Sequence, residues 1–302
     1  MARWTIYCAG NYFLPMTDYF HRLLIGRKFA AADETPIQVL KEADRRPQSK
    51  SYVWLFRSSD DGLHPIIIYQ YHPTRNGDAA AKFFQESAPG TYINVDGYAG
   101  YNKLKDFKRC CCYAHIRRYF LETIPKGKEK DYTDPAVQGL LYCNKLFEYE
   151  RSYRKKGIFY KQIYNRRLKD QKPVVEAFLS WISKQDAPNG SRLSRALTYA
   201  KNQQDYMMTY LEDGHCSISN NLSENSIRPV TVGRRNWLLC DTTDGADASM
   251  MVYSLLETAR ANGLNPQKYL EYLPEARLNK NMSDGKLPDF SKGNTLLLSA
   301  YV

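Results

Sequence analysis

Three acidic residues that are far apart in the sequence could together bind metal ions for phosphoryl transfer. Asp33 and Asp96 each lie at or near the end of a predicted strand, and Glu224 lies at the start of a predicted helix. Two-metal phosphoryl transfer requires several carboxylates that converge on a small volume, and strand ends hold side chains firmly enough to do this. Gly97, directly after Asp96, would let a ligand approach the backbone closely.

The residue types alone leave ordinary structural roles open for each of these acids. An Asp at a strand end is usually a turn or capping residue. Glu224 is followed one helical turn later by Arg228, whose guanidinium could bind phosphate or steady the carboxylate. The same two residues also fit an ordinary ion pair on a surface helix. The metal-site interpretation therefore depends on the rest of the sequence.

The first 125 residues have the hydrophobic pattern of an α/β domain. An amphipathic helix is predicted over residues 12–29, and short β-branched and aromatic runs bounded by turn residues predict strands. The predicted strands are 28–40, 51–57, 64–71, 92–95 and 108–113, with helices at 79–85, capped by Asp78, and at 114–123. This order of elements matches the mixed five-stranded sheet of ribonuclease-H-like domains, in which helices cover both faces.

The second half of the sequence is predicted to be mainly helical. Between residues 134 and 211, apolar residues recur at helical spacing, which predicts an all-helical insertion before the Glu-bearing helix. That helix should run from Glu224 toward Arg228, with Pro229 marking its end or a kink. A strand is predicted at 237–239, with helices at 246–261 and 266–273. The expected divisions are a helical lead-in (1–32), the first part of the core (33–125), the insertion (126–216), the second part of the core (217–275) and a polar tail (276–302).

The charge balance favours a polyanionic partner. Lys and Arg number 43 against 32 Asp and Glu, which gives a formal net charge of +11. Such an excess attracts nucleic acid through Coulomb force and counterion release, although many basic proteins only have a solvated basic surface. The individual candidates for phosphate contacts, for which both interpretations stay open, are Lys103, Arg117, Arg118, Arg228, Arg234 and Arg235.

Cysteine usage argues against a secreted, disulfide-linked protein. There are seven cysteines, an odd number, and three of them are consecutive at 110–112, so a reducing cytosol is expected. No apolar run approaches the ~20 residues needed to cross a bilayer, and no export signal is visible. Cys112 and His115 have the spacing of half a zinc site, but a second ligand pair is missing nearby. We expect the cysteines to fill strand core, and His115 to form hydrogen bonds or contact phosphate near the catalytic pocket.

Four blocks of the sequence resemble bacterial transposases of the insertion sequence 66 type, which belong to the Asp-Asp-Glu catalytic class. The blocks are ADETPIQVL at 32–40, NVDGYAGYNKL at 94–104, CYAHIRRYF at 112–120 and NNLSENSIRPVTVGRRNWLL at 220–239, with an echo in YSLLETARANGLNPQKYL at 253–270. They occur in the family's order, and together they are specific although each alone is weak. Carried over by position, the resemblance makes Asp33, Asp96 and Glu224 the catalytic, metal-binding acids.

The resemblance also implies a reaction and its partners. The expected cofactor is a pair of Mg²⁺ ions, with Mn²⁺ as a substitute, and the expected substrate is double-stranded DNA at the transposon ends and at the target. Hydrolysis at the element's end would free a 3′ hydroxyl, which would attack target DNA in line without a covalent enzyme intermediate. A homodimer on DNA and a cytoplasmic, nucleoid-associated location are further expectations.

One departure from the family and two alternatives remain at this stage. Full-length members carry additional N-terminal segments for association, zinc binding and DNA reading, whereas this sequence begins almost at the catalytic domain. We therefore expect an N-terminally truncated frame or a part encoded elsewhere, and weak, salt-sensitive DNA affinity with little sequence choice. The alternatives are an inactive remnant that binds nucleic acid without catalysis and a structure-selective nuclease on the same fold.

Overall fold

The computed structural model describes residues 2–278, which fall into two compact units. Unit 1 contains the residues up to Thr91, Gly100–Asp106 and the residues from Leu222 onward, whereas unit 2 contains Tyr92–Ala99 and Phe107–Asn221. The strands are β1 (Phe29–Lys41), β2 (Lys50–Ser58), β3 (Ile67–His72), β4 (Tyr92–Asn94), β5 (Lys108–Cys110) and β6 (Cys240–Thr242). The α-helices are α1 (Ala2–Cys8), α2 (Leu14–Ile25), α3 (Asp78–Phe83), α4 (Tyr113–Leu121), α5 (Pro135–Lys155), α6 (Tyr160–Arg166), α7 (Lys172–Lys184), α8 (Arg192–Gln203), α9 (Asn221–Trp237), α10 (Thr243–Ala261) and α11 (Pro266–Leu278).

Unit 1 is built on the antiparallel strands β1, β2 and β3, with β6 parallel to β1. The register of β1 and β2 places Asp33 opposite Leu55, so both side chains point to the same face of the sheet. Residues two apart along a strand share a face, and therefore Ile37 and Val39 also lie on the face of Asp33. The predicted hairpin between the second and third strands is confirmed.

Helix α10 protects the edge strand β3 of this sheet. The Thr258 hydroxyl accepts a hydrogen bond from the Ile67 N–H (3.0 Å) and donates one to the Ile67 carbonyl (2.9 Å). One turn earlier in α10, the Ser254 hydroxyl accepts from the Tyr69 N–H (2.8 Å). An edge strand with exposed backbone donors invites pairing with another chain, and these two hydroxyls satisfy such donors within the unit.

Helix α9 packs on the face of the sheet that carries Asp33. Ile227 and Val230 of α9 belong to one buried cluster with Ile37 of β1 and Leu55 of β2. Of the two outcomes predicted at Pro229, an end or a kink, the end is wrong, because α9 continues through the proline to residue 237. An interior proline costs about 3 kcal/mol, whereas each buried apolar side chain contributes about 1.5–3 kcal/mol. Burial against the sheet thus offsets the local penalty.

Unit 2 contains the parallel strands β4 and β5 and helices α4 to α8. Every element described between residues 135 and 212 is helical, and the assignment of this stretch as an insertion stays a prediction. A buried ion pair holds these helices together: Arg167 donates to the two carboxylate oxygens of Glu150 at 2.8 and 2.9 Å. Arg167 also donates to the carbonyls of Tyr210 and Asp213, both at 3.0 Å.

The fold class predicted from the sequence is confirmed. Along the chain the structure has three strands, a short helix, two further strands and then helices, and the strand pairing is mixed. This is a mixed α/β fold with helices flanking the strands, consistent with a ribonuclease-H-like domain. Besides the five strands predicted before residue 114, the structure contains the short strand β6, which lies just after the strand predicted at 237–239.

Several element ends differ from the predictions. Asp78 is the first residue of α3 rather than its cap. β5 ends at Cys110 instead of residue 113, because Tyr113 already begins α4. The strand predicted at 237–239 is misplaced: Leu238 has a φ of 56°, a left-handed conformation that no strand contains, and β6 begins after it.

The two ends of the chain are also more helical than predicted. The helix predicted at 12–29 is α2, which covers a shorter range and follows α1 and a π-helical turn at Ala9–Phe13. Near the other end, α11 passes through Pro274 and ends at Leu278, beyond the predicted end at residue 273. Residues 279–302, which hold most of the predicted polar tail, lie outside the described residues.

The buried ion pair predicts a large stability loss when only one partner is removed. Arg167→Met should lower the free energy of unfolding, measured by urea denaturation, by about 3–5 kcal/mol because it leaves the Glu150 carboxylate buried without its cation. The control is Glu176→Gln in α7, whose partner Lys172 is 3.9 Å away and whose side chain is 56% exposed. That change should cost no more than about 0.5 kcal/mol. Equal losses in the two variants would contradict the structural role of the pair.

Candidate active site

Asp33 lies in the interior of β1, on the face of the sheet that α9 covers. The predicted strand at 28–40, which continues past Asp33, is confirmed, and the description of Asp33 as near a strand end is wrong, because β1 extends eight residues beyond it to Lys41. The Asp33 side chain is half-buried, and its Oδ1 accepts a hydrogen bond from the backbone N–H of Glu34 at 2.9 Å. A central position in a paired strand holds the backbone of this carboxylate more firmly than a strand end would.

The neighbouring acid, Glu34, points to the opposite face and is fully engaged there. Its Oε1 accepts from Arg75 at 2.8 Å (Nε) and 2.6 Å (Nη2), and its Oε2 accepts from the Tyr101 hydroxyl at 2.6 Å. The Glu34 side chain is only 1% exposed. Of the two adjacent acids, Glu34 therefore acts as a structural ion-pair residue, and Asp33 is the one placed toward α9.

Glu224 lies in the first turns of α9, next to the stripe of residues that packs on the sheet. It is half-buried and comes three residues before Ile227, which belongs to the buried cluster with β1 and β2. Residues three apart in a helix are neighbours, so the packing of Ile227 also fixes the backbone that carries Glu224. Within unit 1, Asp33 and Glu224 thus lie on the same face of the sheet.

Arg57 of β2 anchors the beginning of α9, and sequence reasoning missed it. Its guanidinium donates to the Leu222 carbonyl at 3.2 Å and to the Ser226 hydroxyl. Arg57 is 6% exposed, and burial lowers the pKa of its guanidinium to about 10, so it stays positively charged at neutral pH. The Tyr69 hydroxyl of β3 adds a hydrogen bond to the Ser226 carbonyl. The feature of the sequence that could have identified Arg57 is that it is a charged residue at the end of a largely apolar strand.

Asp96 belongs to unit 2 and lies two residues after the end of β4. Its Oδ1 accepts a hydrogen bond from the Tyr98 N–H at 2.9 Å, which closes a tight Asx turn. Its backbone carbonyl accepts from Arg109 of β5 at 2.6 Å. The sequence therefore predicted correctly that Asp96 follows a strand closely, although the strand is one residue shorter than expected.

The three acids have the donor chemistry that Mg²⁺ prefers. Carboxylate oxygens are hard ligands, and Mg²⁺ sites in phosphoryl-transfer enzymes are built from one or two carboxylates together with water and phosphate. Asp33, Asp96 and Glu224 are each half-buried. Their residue types therefore fit the expected cofactor.

The sequence matches the profile of the Transposase IS66 family over residues 1–248. The chain belongs to this family. Among curated proteins of Sinorhizobium fredii, the uncharacterized protein y4qI is 25% identical over 285 residues, which cover 89% of this chain and 51% of the relative. The uncharacterized protein y4hP is 25% identical over 278 residues, which cover 85% of this chain and 49% of the relative. The chain thus spans about half the length of the curated relatives it matches.

Among the described residues of this IS66-family chain, no helix has the length and apolarity needed to span a lipid bilayer.

The predicted phosphate-contacting residues of this IS66-family chain fall into two groups. Lys103 forms an ion pair with Asp78, Arg117 donates to the Asn144 side chain at 2.7 Å, and Arg234 donates to the Pro36 carbonyl. These three cations therefore already serve contacts within the chain. Arg118 on α4 and both Arg228 and Arg235 on α9 are exposed residues.

The cysteine-rich segment of the chain is buried, as expected for core. Cys110, Cys111 and Cys112 are at most 1% exposed, and burial raises the pKa of the Cys111 thiol well above its ordinary value. The Cys112 Sγ accepts a hydrogen bond from the Asn220 backbone N–H at 3.2 Å. His115 lies half-buried in the first turn of α4, one turn before Arg118.

The different environments of the two adjacent acids predict different mutational effects. Glu34→Gln should lower the free energy of unfolding by about 1–3 kcal/mol, because it weakens the charge-assisted hydrogen bonds from Arg75 and Tyr101 at a buried position. Urea denaturation measures this loss. The control is Asp78→Asn, which breaks an ion pair whose side chains are 48% and 59% exposed and should cost less than about 1 kcal/mol. A Glu34→Gln variant as stable as the wild type would show that the Glu34 contacts contribute nothing.

Proposed function

We propose that this chain is the catalytic part of a DNA transposase, in which Asp33, Asp96 and Glu224 hold two Mg²⁺ ions. The proposed reaction is phosphodiester hydrolysis at transposon ends, followed by transfer of the freed 3′ strand to target DNA. Membership of the Transposase IS66 family over residues 1–248 supports the reaction class. The proposed acids are those of the family's catalytic pattern, carried over residue by residue.

One structural observation carries the assignment of the acids. Asp33 and Glu224 lie on the same, α9-covered face of the unit 1 sheet, and the contacts that fix α9 on the sheet also fix Glu224. Glu34, the alternative acid beside Asp33, is held by Arg75 and Tyr101 on the other face. This arrangement favours Asp33 over Glu34 as the metal ligand.

The residues of the chain have distinct tasks in this mechanism. When bound, the two metal ions supply an activated nucleophile and stabilise the leaving oxygen of the in-line displacement. Asp33, Asp96 and Glu224 hold the ions, and Arg57 and Tyr69 keep the Glu224 helix on the sheet. Paired, hydrogen-bonded supports of this kind keep ligands within the small tolerance that catalysis requires.

The exposed arginines are the proposed contacts to the DNA backbone. Arg228 lies one helical turn after Glu224 on α9, and Arg235 lies two turns further along the same helix. Arg118 projects from α4 in unit 2. Guanidinium groups bind phosphate oxygens through paired hydrogen bonds, and such contacts position the duplex without reading its sequence. His115 is proposed as an additional phosphate-contacting or hydrogen-bonding group, and a homodimer on DNA as the active assembly.

The proposed metal ligands predict loss of DNA cleavage in single amide variants. Asp33→Asn, Asp96→Asn and Glu224→Gln should each reduce Mg²⁺-dependent nicking of supercoiled plasmid by at least about 100-fold, since even residues that only orient metal ligands contribute 10–100-fold. Transfer of a labelled duplex with a free 3′ hydroxyl into plasmid should fall in parallel. The matched control, Glu34→Gln, should retain nicking at a temperature at which it remains folded.

The outcomes separate the proposed transposase from its rivals. Plasmid nicking that is equal with and without Mg²⁺ would contradict the proposal and favour an inactive remnant. Mg²⁺-dependent nicking that survives in all three amide variants would contradict the assignment of the acids. Nicking that depends on the three acids without any strand-transfer product would favour a structure-selective nuclease on the same fold.

The proposed backbone contacts predict a specific change in salt dependence. Each phosphate contact contributes about one unit to the slope of log affinity against log salt concentration, so Arg228→Ala with Arg235→Ala should reduce the slope by about 2. Fluorescence anisotropy with a labelled duplex measures this slope. The control pair is Lys145→Ala with Lys172→Ala, whose ammonium groups lie 3.8 and 3.9 Å from Glu148 and Glu176. An equal change in both double variants would show that only net charge matters.

A further inference from the structure

The turn that carries Asp96 is held by an arginine from the neighbouring strand. Arg109 of β5 donates from Nη2 to the Asp96 carbonyl at 2.6 Å, and the Tyr98 N–H donates to the Asp96 carboxylate at 2.9 Å. A charge-assisted hydrogen bond to the carbonyl fixes the peptide plane, and the Asx turn fixes the side chain. Backbone and carboxylate of Asp96 are thus restrained by separate contacts.

Tyr199 of helix α8 packs against the Asp96 turn at Gly97. The ring of Tyr199 lies so close to Gly97 that a Cβ added at Gly97 would come within 2.5 Å of the ring. Only glycine fits at this position for that reason. The Tyr199 ring also stacks on Tyr119 of α4, with centroids 4.5 Å apart.

The arginine itself is held by residues at the end of α8 and just beyond it. Arg109 is 7% exposed, and its Nη2 lies 3.4 Å from the Gln203 side-chain oxygen. Its guanidinium carbon lies 4.6 Å from the centre of the Tyr206 ring, which is a cation–π contact. A buried guanidinium with these neighbours has little freedom to leave the Asp96 carbonyl. The support for Asp96 therefore comes from α8 and the turn that follows it.

We propose that Arg109 and Tyr199 are positioning residues for the metal-binding carboxylate of Asp96. The inference rests on the proposed function, because it takes Asp96 to be a metal ligand. On this proposal, the C-terminal part of α8 holds the Asp96 turn in the orientation that binds metal. Neither residue touches the metal or the DNA in this account, and both act through Asp96.

The experiment compares metal binding with stability in the full chain. Mn²⁺ binding is titrated by electron paramagnetic resonance, and the melting temperature is measured on the same samples. Arg109→Lys and Tyr199→Ala should each raise the Mn²⁺ dissociation constant by about 10–100-fold, the usual effect of losing a residue that orients a metal ligand. Tyr199→Phe keeps the ring against Gly97 and should stay within about threefold of the wild type.

The matched control is Arg167→Lys, which alters another buried guanidinium of unit 2. Arg167 contacts Glu150 and the carbonyls of Tyr210 and Asp213, and none of its hydrogen bonds reaches the Asp96 turn. It should lower the melting temperature while leaving the Mn²⁺ dissociation constant unchanged. If Arg109→Lys does not fold, Tyr199→Ala and Tyr199→Phe still test the inference as a pair.

Asp96→Asn separates failure of this inference from failure of the proposed function. If Asp96→Asn abolishes one Mn²⁺ site but Arg109→Lys and Tyr199→Ala bind Mn²⁺ like the wild type, the positioning role is overturned and the proposed function stands. The positioning role is also overturned if Arg167→Lys weakens Mn²⁺ binding as much as Arg109→Lys and Tyr199→Ala do. If Asp96→Asn binds Mn²⁺ like the wild type, the proposed function fails, and the inference fails with it.

Discussion

The packing of α9 against the three-stranded part of the unit 1 sheet is the contact on which the candidate site depends. Ile227 and Val230 are buried against the strands, and their burial keeps α9 continuous through Pro229. Arg57 and Tyr69 then fix the start of the helix by hydrogen bonds to its backbone and hydroxyl groups. This packing holds the helix that carries Glu224 on the face of the sheet that carries Asp33. Apolar burial thus stabilises the packing of α9 on the sheet, and the buried hydrogen bonds fix the position of the start of the helix.

The surroundings of each acid explain how carboxylates of one type acquire different tasks. Glu34 meets a cation and a phenol at a buried position, so its charge is neutralised inside the fold. Asp33, one residue earlier, faces the opposite side of the strand because side chains alternate along β1. Glu150 of unit 2 is neutralised in the same way as Glu34, by Arg167. Glu34 and Glu150 are therefore structural acids, because their carboxylates already bind cations of the fold.

The sequence predicted the fold class, and the assignment of Asp33, Asp96 and Glu224 as catalytic acids stays a prediction. The contacts that support these three residues could not be predicted from the sequence. Short β-branched runs identified β2 and β3 because local alternation reports strands directly. The sequence left an end or a kink of α9 open at Pro229 because a proline is a local signal, whereas the burial that keeps the helix continuous is a tertiary effect. Arg57 and Arg109 were missed for the same reason, since their partners lie 165 and 13 residues away along the chain. The residues with a function in the family can be found by pattern, but the residues that hold them require coordinates.

The most direct test of this account is a crystal structure of the chain with Mn²⁺, in which anomalous scattering locates the metal. The account predicts two Mn²⁺ ions about 3.5–4 Å apart, bound by carboxylate oxygens of Asp33, Asp96 and Glu224. Glu34 should remain bound to Arg75 and Tyr101 in that crystal. Manganese bound at Glu34, or manganese that leaves any one of the three acids without a metal contact, would contradict the account.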